Sequence, residues 1–355
     1  MIAPPKRLLV IKPSSFGDIV QSLPVLAALR RGWPDSRIDW LVKEEWAGLL
    51  QNHPLIDQVV VLAQSITEWP RVLKRLRTSG YDMALDLQGL LRSGLLSLAT
   101  GAPIRAGFVN AREGSPWCYT QRVPIASAAH AVECYLELIR GLGIATTDAI
   151  TFPLPEWKRE EQWVNDFLAE RMAPTPKPFC VIHPAARWKT KQWPIERYAE
   201  LADWLTGNRV YGVVLVAGPA QADQVSPMIA RLRAPVVSLV ARTTLPQLGA
   251  LLRRAAFLIT NDSGPMHLAA AVGTPVVAIF GPTDPRRVGP YGSGHVVLRK
   301  PFDCSRCKRN DCVQELQCLK AISVADVREA VEQLARRNLV CVPSSARDVS
   351  GSASQ

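Results

Sequence analysis

Residues 257–284, FLITNDSGPMHLAAAVGTPVVAIFGPTD, decide the fold. An apolar run ends in Asn261 and Asp262, and Ser263 and Gly264 form a helix entrance. Pro265 suits a first helical turn, where its missing N–H is no loss. MHLAAAVG then reads as a helix, and TPVVAIFG as a second strand that breaks at another glycine. The segment is therefore a β-loop-α-β-loop unit, the building block of a parallel sheet. Free amides at the helix entrance and the helix dipole favour an anion, and Gly264 lets a phosphate approach the backbone. GPTD, residues 281–284 at the end of the second strand, is the expected source of a second phosphate-reaching group. Asp262 would repel a diphosphate unless it faces other groups, for which sugar hydroxyls are the natural choice. His267 has an N–H to offer a phosphate, although a lone histidine there equally suits the core. An isolated DSG is also ordinary helix-capping chemistry.

The same grammar runs outward in both directions. Upstream lie the strand FCVIHP, the helix PIERYAELADWLTG, the strands VYGVVLVAG and PVVSLV, and the helix LPQLGALLRRA. Between the first two, HPAARWKTKQWP puts Arg187, Lys189 and Lys191 at a strand end. Any one of them reads as a solvated loop cation; their shared position points to Lys191 as the charge that neutralises a leaving diphosphate. The first half alternates RLLVIK, LPVLAALRRG, RIDWLV, EWAGLLQNHP, QVVVL, TEWPRVLKRLRTSG and YDMALDLQG, again strand and helix in turn. Ligands in such sheets sit beyond the carboxyl ends of the strands, where residues 14–18 and 86–89 fall. Ser15-Phe-Gly-Asp18 is also an S-x-x-D capping box, so Asp18 is either a helix cap or an acid or base at the mouth of the sheet. A helix amino terminus lowers a carboxylate's pKa, which suits a base only if proton transfer comes late. The proline-punctuated TFPLPEW at 151–157 marks a linker. The expected domains are 1–152 and 153–343, with the small polar segment 344–355 as a disordered tail.

The chain has 355 residues, enough for two α/β domains, and 42 Lys+Arg against 31 Asp+Glu give +11. That charge attracts nucleic acid, an anionic membrane face or phosphorylated substrates. The cations are scattered in pairs such as Arg253 and Arg254, with no nucleic-acid module beside them, so no nucleic-acid partner is expected. No apolar run approaches the ~18 residues of a membrane span, and MIAPPKRLLVIKP is too short in apolar core for a signal peptide, which makes the cytoplasm the default. Neither a G-x-G-x-x-G fingerprint nor a P-loop is present, which argues against a dehydrogenase or an NTPase. Of the eight cysteines, Cys304, Cys307, Cys312 and Cys318 crowd together as C-x2-C-x4-C-x5-C. Four thiolates so spaced can wrap zinc or iron, or remain reduced in a loop.

Taken together, IKPSSFGDIVQSLPVLAALR, DLQGLLRS, HAVECYLEL, KQWPIERYAEL and NDSGPMHLAAAVGTPVVAIFGPTDP resemble glycosyltransferase family nine, the bacterial ADP-heptose:lipopolysaccharide heptosyltransferases, over about residues 7–335. The resemblance implies a GT-B fold, two Rossmann-like doubly wound parallel-sheet domains facing a cleft, with the acceptor in the first and the nucleotide-sugar in the second. It implies inverting transfer of L-glycero-D-manno-heptose from ADP-heptose to Kdo or heptose of the lipopolysaccharide inner core, with no cofactor needed for the chemistry. Carried onto this chain, it makes Asp18 the base, in a loop shaped by Ser14, Ser15 and Gly17. It places Lys191, Asp262, Ser263, Gly264, His267 and Thr283 on the donor, Thr243 near the adenine, and Gln221 or Asp223 where other members hold the ribose. Asp86, Gln88 and Gly89 would line the acceptor side, and Arg92, Arg105 and Arg112 would receive acceptor carboxylates or phosphates. Relatives that glycosylate autotransporter proteins hold iron in a similar cysteine cluster, which implies a structural iron or zinc here. A protein hydroxyl acceptor, another nucleotide-sugar, or a non-catalytic glycan-binding role are the alternatives. A cytoplasmic enzyme peripheral on the inner-membrane surface is the expected setting, favoured by the positive charge.

Overall fold

Strands buried on both faces dictate the architecture. RLLVI, MALD, FCVIH, FLITN and VVAI are buried at nearly every position, which requires helices above and below a parallel sheet. A computed structural model describes residues 2–125, 129–147, 149–172, 178–207, 211–302, 312 and 314–340. The tail 344–355, Cys304 and Cys307 lie outside the described residues.

The first sheet contains β1 (Arg7–Ile11), β2 (Arg37–Lys43), β3 (Gln58–Leu62), β4 (Met83–Asp86), β5 (Ile104–Phe108) and β6 (Gln121–Val123), in the order β3-β2-β1-β4-β5-β6. The second contains β7 (Phe179–His183), β8 (Gly212–Leu215), β9 (Val237–Ser238), β10 (Phe257–Asn261), β11 (Val276–Ile279) and β12 (Val296–Leu298), in the order β12-β11-β10-β7-β8-β9. All pairings are parallel. Each half thus repeats one winding order, with its switch point between its first and fourth strands: β1 and β4 in one, β7 and β10 in the other. This is the expected pair of Rossmann-like sheets.

Some elements differ from the sequence reading. The helix expected over EWAGLLQNHP is only Glu44–Ala47; it stops at Gly48 while Leu49 and Leu50 stay buried, so the apolar pattern persists without the conformation. PVVSLV narrows to the two residues of β9. Strands β5, β6 and β12 and the helix Val324–Val340 were not read from periodicity, because the strands are short and the helix surface is largely charged. Among the described residues no helix is long and apolar enough to cross a membrane.

Each half was expected to close its own core, but one buried cluster runs through both. It joins Leu8, Phe16 and Ile19 of the first half to Val181, Leu258 and Met266 of the second, while separate clusters fill the outer faces. The joint is the contact between helices Phe16–Ser22 and Gly264–Ala271. A Cβ at Gly17 would lie 2.4 Å from His267 Cδ2, and one at Gly264 would lie 2.2 Å from Phe16 Cδ1. Each glycine makes room for a ring from the other half. Gly17→Val should therefore separate the helices: small-angle scattering should show a larger radius of gyration, with an overpacking cost of roughly 1–3 kcal/mol in thermal unfolding.

Candidate active site at the facing switch points

Asp18 is in the first turn of helix Phe16–Ser22, directly after β1. Its Oδ2 accepts the Ser15 N–H at 3.0 Å and the Ser15 hydroxyl at 2.7 Å. No hydrogen bond among the described residues falls on Oδ1, so one oxygen fixes the carboxylate and the other is open to a ligand. Burial raises the Asp18 pKa, but the Lys12 charge, both Ser15 hydrogen bonds and the charge of His267 outweigh it and leave the group lowered. The carboxylate is ionised at neutral pH.

Lys12 is the feature the sequence reading passed over. It is 3% exposed, donates from Nζ to the Leu87 carbonyl at 3.2 Å and lies 5.0 Å from the centre of the Tyr135 ring. Burial lowers its pKa, yet Tyr135, Asp18 and Asp86 outweigh that and raise it. The signal was present as a lysine inside an apolar strand end, IKP, but nothing local distinguished it from a surface lysine.

On the acceptor side the structure separates the expected residues. Gln88 Oε1 accepts the Ser14 N–H at 3.4 Å, which ties loop 86–89 to loop 14–18. Asp86 is a correction: it is fully buried, with Oδ1 on the Gln88 and Gly89 N–H groups at 2.8 and 3.2 Å and Oδ2 on the Tyr119 hydroxyl at 2.7 Å. It shapes the loop and has no face toward a ligand. Burial, only partly offset by these hydrogen bonds, raises its pKa. Arg105 is a second correction. It lies near the amino end of β5, away from the cleft edge, with its guanidinium on the Cys118 and Ala102 carbonyls at 2.8 and 2.7 Å. Arg92 and Arg112 are exposed near the carboxyl edge, and the Arg112 N–H bonds the Gly89 carbonyl at 2.9 Å.

Across the joint, Asp262 follows β10. Its Oδ2 accepts from Lys191 Nζ at 2.5 Å and from the Thr283 hydroxyl at 2.6 Å. Lys191 is placed by the Lys189–Lys191 turn, and Asn261 anchors the end of that loop by accepting the Trp193 N–H at 3.0 Å and donating to the Pro184 carbonyl at 2.7 Å. Ser263 is the N-cap of helix Gly264–Ala271 but makes no side-chain cap bond; Pro265 has no N–H and the Met266 N–H meets the Ser263 carbonyl at 3.2 Å, which leaves the Gly264 N–H as the first-turn donor without a partner among the described residues. The Ser263 hydroxyl instead meets Thr260 at 3.0 Å and His183 at 3.3 Å. The space expected beside Gly264 for a phosphate holds the Phe16 ring, so an anion must approach the Gly264 N–H from another side. Thr243 stands half-buried after the edge strand β9, three strands and about 14 Å across the sheet from β10.

Two histidines complete the arrangement. His183, at the end of β7, is 3% exposed and contacts Thr260, Ser263 and Gln221 at 3.2 to 3.3 Å. His267 is 8% exposed, and its Nδ1 has no hydrogen-bond partner. Burial lowers both to about 4, against the Gln221 hydrogen bond at His183 and the Asp262 and Asp18 charges at His267. Both rings are neutral at pH 7.

The cysteine cluster is described at two positions. Cys312 is half-buried, with its Sγ accepting the Leu316 N–H at 3.2 Å, and Cys318 is buried in the outer core of the second half. Among the described residues no three His, Cys, Asp or Glu side chains gather as a metal centre.

A family model described as glycosyltransferase family 9 (heptosyltransferase) matches residues 69–317. Lipopolysaccharide heptosyltransferase 1 of Pseudomonas aeruginosa is 31% identical over 324 residues, covering 87% of this chain and 88% of that protein. Among solved structures, E. coli ADP-heptose LPS heptosyltransferase II aligns with TM-score 0.78 and 25% identity over 94% of this chain and 99% of that one. E. coli heptosyltransferase WaaC, solved with ADP, aligns with TM-score 0.74 and 25% identity over 92% of this chain and 99% of that one.

The buried histidines set a pH signature. A histidine held near 4 when folded and near 6.5 when unfolded takes up a proton on unfolding between those values. Its contribution is complete above about pH 6.5 and is lost as pH falls toward 4, on the order of 3 kcal/mol per ring. Thermal unfolding should thus show a melting temperature that drops steeply from pH 6.5 to 4. His183→Gln should flatten part of that slope, the rest coming from His267 and from His53, His130 and His295, which burial also lowers.

Proposed function

The chain belongs to glycosyltransferase family 9, and we propose that it moves L-glycero-D-manno-heptose from ADP-heptose to Kdo or heptose of the lipopolysaccharide inner core, with inversion. The observation that carries the mechanism is Asp18, clamped through Oδ2 with no hydrogen bond on Oδ1 among the described residues, in a helix whose partner across the joint begins two residues after Asp262, the carboxylate that holds Lys191. The half 1–152 takes the acceptor and 153–343 the donor. An acceptor hydroxyl oxygen attacks the anomeric carbon from the face opposite the diphosphate. The new C–O bond forms as the bond to the diphosphate oxygen breaks, and the hydroxyl proton passes to Asp18 Oδ1. ADP leaves as an anion whose charge is met by Lys191, the Gly264 N–H and the amino-terminal dipole of helix Gly264–Ala271. Thr283 and His267 border the diphosphate, Asp262 faces the sugar, and Thr243 receives the adenine end.

A carboxylate lowered by a neighbouring lysine is a weak base, so it removes the proton only once the attacking oxygen has begun to bond and become acidic. Lys12 is the positioning residue that keeps Asp18 ionised and in place. Arg92, Arg112 and Gln88 serve the acceptor. A structural iron or zinc on Cys304, Cys307, Cys312 and Cys318 rests on their spacing alone, and the chemistry runs without it. Peripheral attachment to the inner membrane is supported by the charge of +11 and by the lipid anchor of such an acceptor.

Mixing the protein with ADP-heptose and Kdo-lipid A should release ADP; no release with that acceptor or a heptosylated one sinks the proposal. Asp18→Asn should lower kcat by about 10²–10⁴-fold while ADP affinity, read by calorimetry, stays unchanged. Lys12→Met removes the charge that lowers Asp18, so the acidic limb of the pH–rate profile should move to higher pH. An unmoved limb would separate Lys12 from the base.

A further inference from the structure

Among the described residues nine large apolar side chains are exposed, and four belong to one helix of the first half and the turn packed on it: Leu91, Leu95, Leu98 and Trp117, the last 84% exposed. Helix Leu91–Ala99 is inverted relative to an ordinary surface helix. It buries Ser93, Gly94, Leu96 and Ser97, and turns Leu91, Leu95 and Leu98 outward at i, i+4 and i+7. The buried hydroxyls need no outside partner, because Ser93 and Ser97 donate to the Leu90 and Gly94 carbonyls at 2.8 and 2.6 Å. Turn Ser115–Cys118 packs against the flank of this helix at Gly94, where an added Cβ would lie 3.0 Å from Cys118 Sγ, and it carries Trp117 beside the stripe.

Guanidinium groups rim the patch. Arg92 lies over Trp69 at 5.8 Å and Arg122 over Trp117 at 5.8 Å. Arg112 is exposed near the start of the helix, and Arg77 lies against Gly101 just past its end. Glu113 is the acidic group at this rim, accepting the Leu91 N–H at 3.3 Å.

We propose that this face is a docking surface for an anionic phospholipid bilayer. Leucines and a tryptophan suit the boundary between headgroups and acyl chains, and arginines beside them pair with lipid phosphates. A second copy docked here would oppose arginine to arginine, whereas a bilayer offers the complementary charge. The helix starts at loop 86–89, so a lipid-anchored acceptor is delivered at the mouth that leads to Asp18. That last step rests on the proposed function; the membrane contact does not.

The test is flotation of the full chain with vesicles of phosphatidylcholine alone or with phosphatidylglycerol, without substrate. Wild type should bind the anionic vesicles and be released by high salt. Leu95→Gln, Leu98→Gln and Trp117→Gln combined should weaken binding by about a thousandfold, since each buried apolar side chain contributes about tenfold. Arg122→Gln, which leaves the apolar stripe intact, should weaken it about fivefold. The triple variant should keep wild-type transfer to a water-soluble Kdo glycoside and lose transfer to vesicle-embedded acceptor. Wild type that ignores anionic vesicles, or variants that bind like wild type, overturn the assignment. So does a wild-type dimer in analytical ultracentrifugation that the triple variant dissolves, which would make the face an interface between copies. Vesicle binding through this patch with no heptose transfer to either acceptor would sink the proposed function and leave the surface standing.

Discussion

Two rings seated on two glycines hold the halves of this molecule together. Phe16 occupies the space a side chain at Gly264 would need, and His267 occupies that of Gly17, so each of the helices Phe16–Ser22 and Gly264–Ala271 packs a ring onto the bare backbone of the other. Each helix begins at the switch point of its own sheet, where chemistry-bearing residues collect at the carboxyl ends of the strands. Their contact therefore fixes the distance between two otherwise independent sites. It also explains why a single apolar cluster passes through both halves.

The two sites are built alike. In the first half Lys12 leaves β1 and steadies Asp18 a few residues later; in the second Lys191 follows β7 and holds Asp262, which leaves β10. Similar pairs are used differently because their surroundings differ. Lys12 is almost wholly buried and acts on Asp18 through its charge, whereas Lys191 is 23% exposed along its side chain and bonds its partner directly. One cation lowers the pKa of a neighbouring carboxylate, and the other is paired directly and partly exposed.

Much of this was legible in the residues. The central strands, the βαβ segment around 257–284 and the loops at 14–18 and 262–264 announce themselves by apolar runs ending in small polar residues. What stayed hidden depends on which partners the fold brings to each side chain. Asp86 read as a ligand contact because its motif lies at a strand end, but Tyr119, 33 residues away, closes over it. Arg105 read as a free cation, yet local carbonyls hold it. His183 looked like the end of a strand until Thr260, Ser263 and Gln221 converged on it. The leucines of helix Leu91–Ala99 carry an ordinary amphipathic pattern; only the sheet shows that the small face is the buried one.

The Lys191–Asp262 pair has a consequence for how the protein meets its charged ligand. With the ammonium already neutralised by a carboxylate, an arriving diphosphate does not find a bare cation; it exchanges with an anion that belongs to the protein. Binding is then a substitution of counterions within one coordination sphere rather than a neutralisation, and Thr283, which shares the same carboxylate oxygen, has to let go in the same event. In the reaction proposed above, ionic strength should therefore act on donor binding mainly through the distant surface charges, and less through the short-range exchange at Lys191.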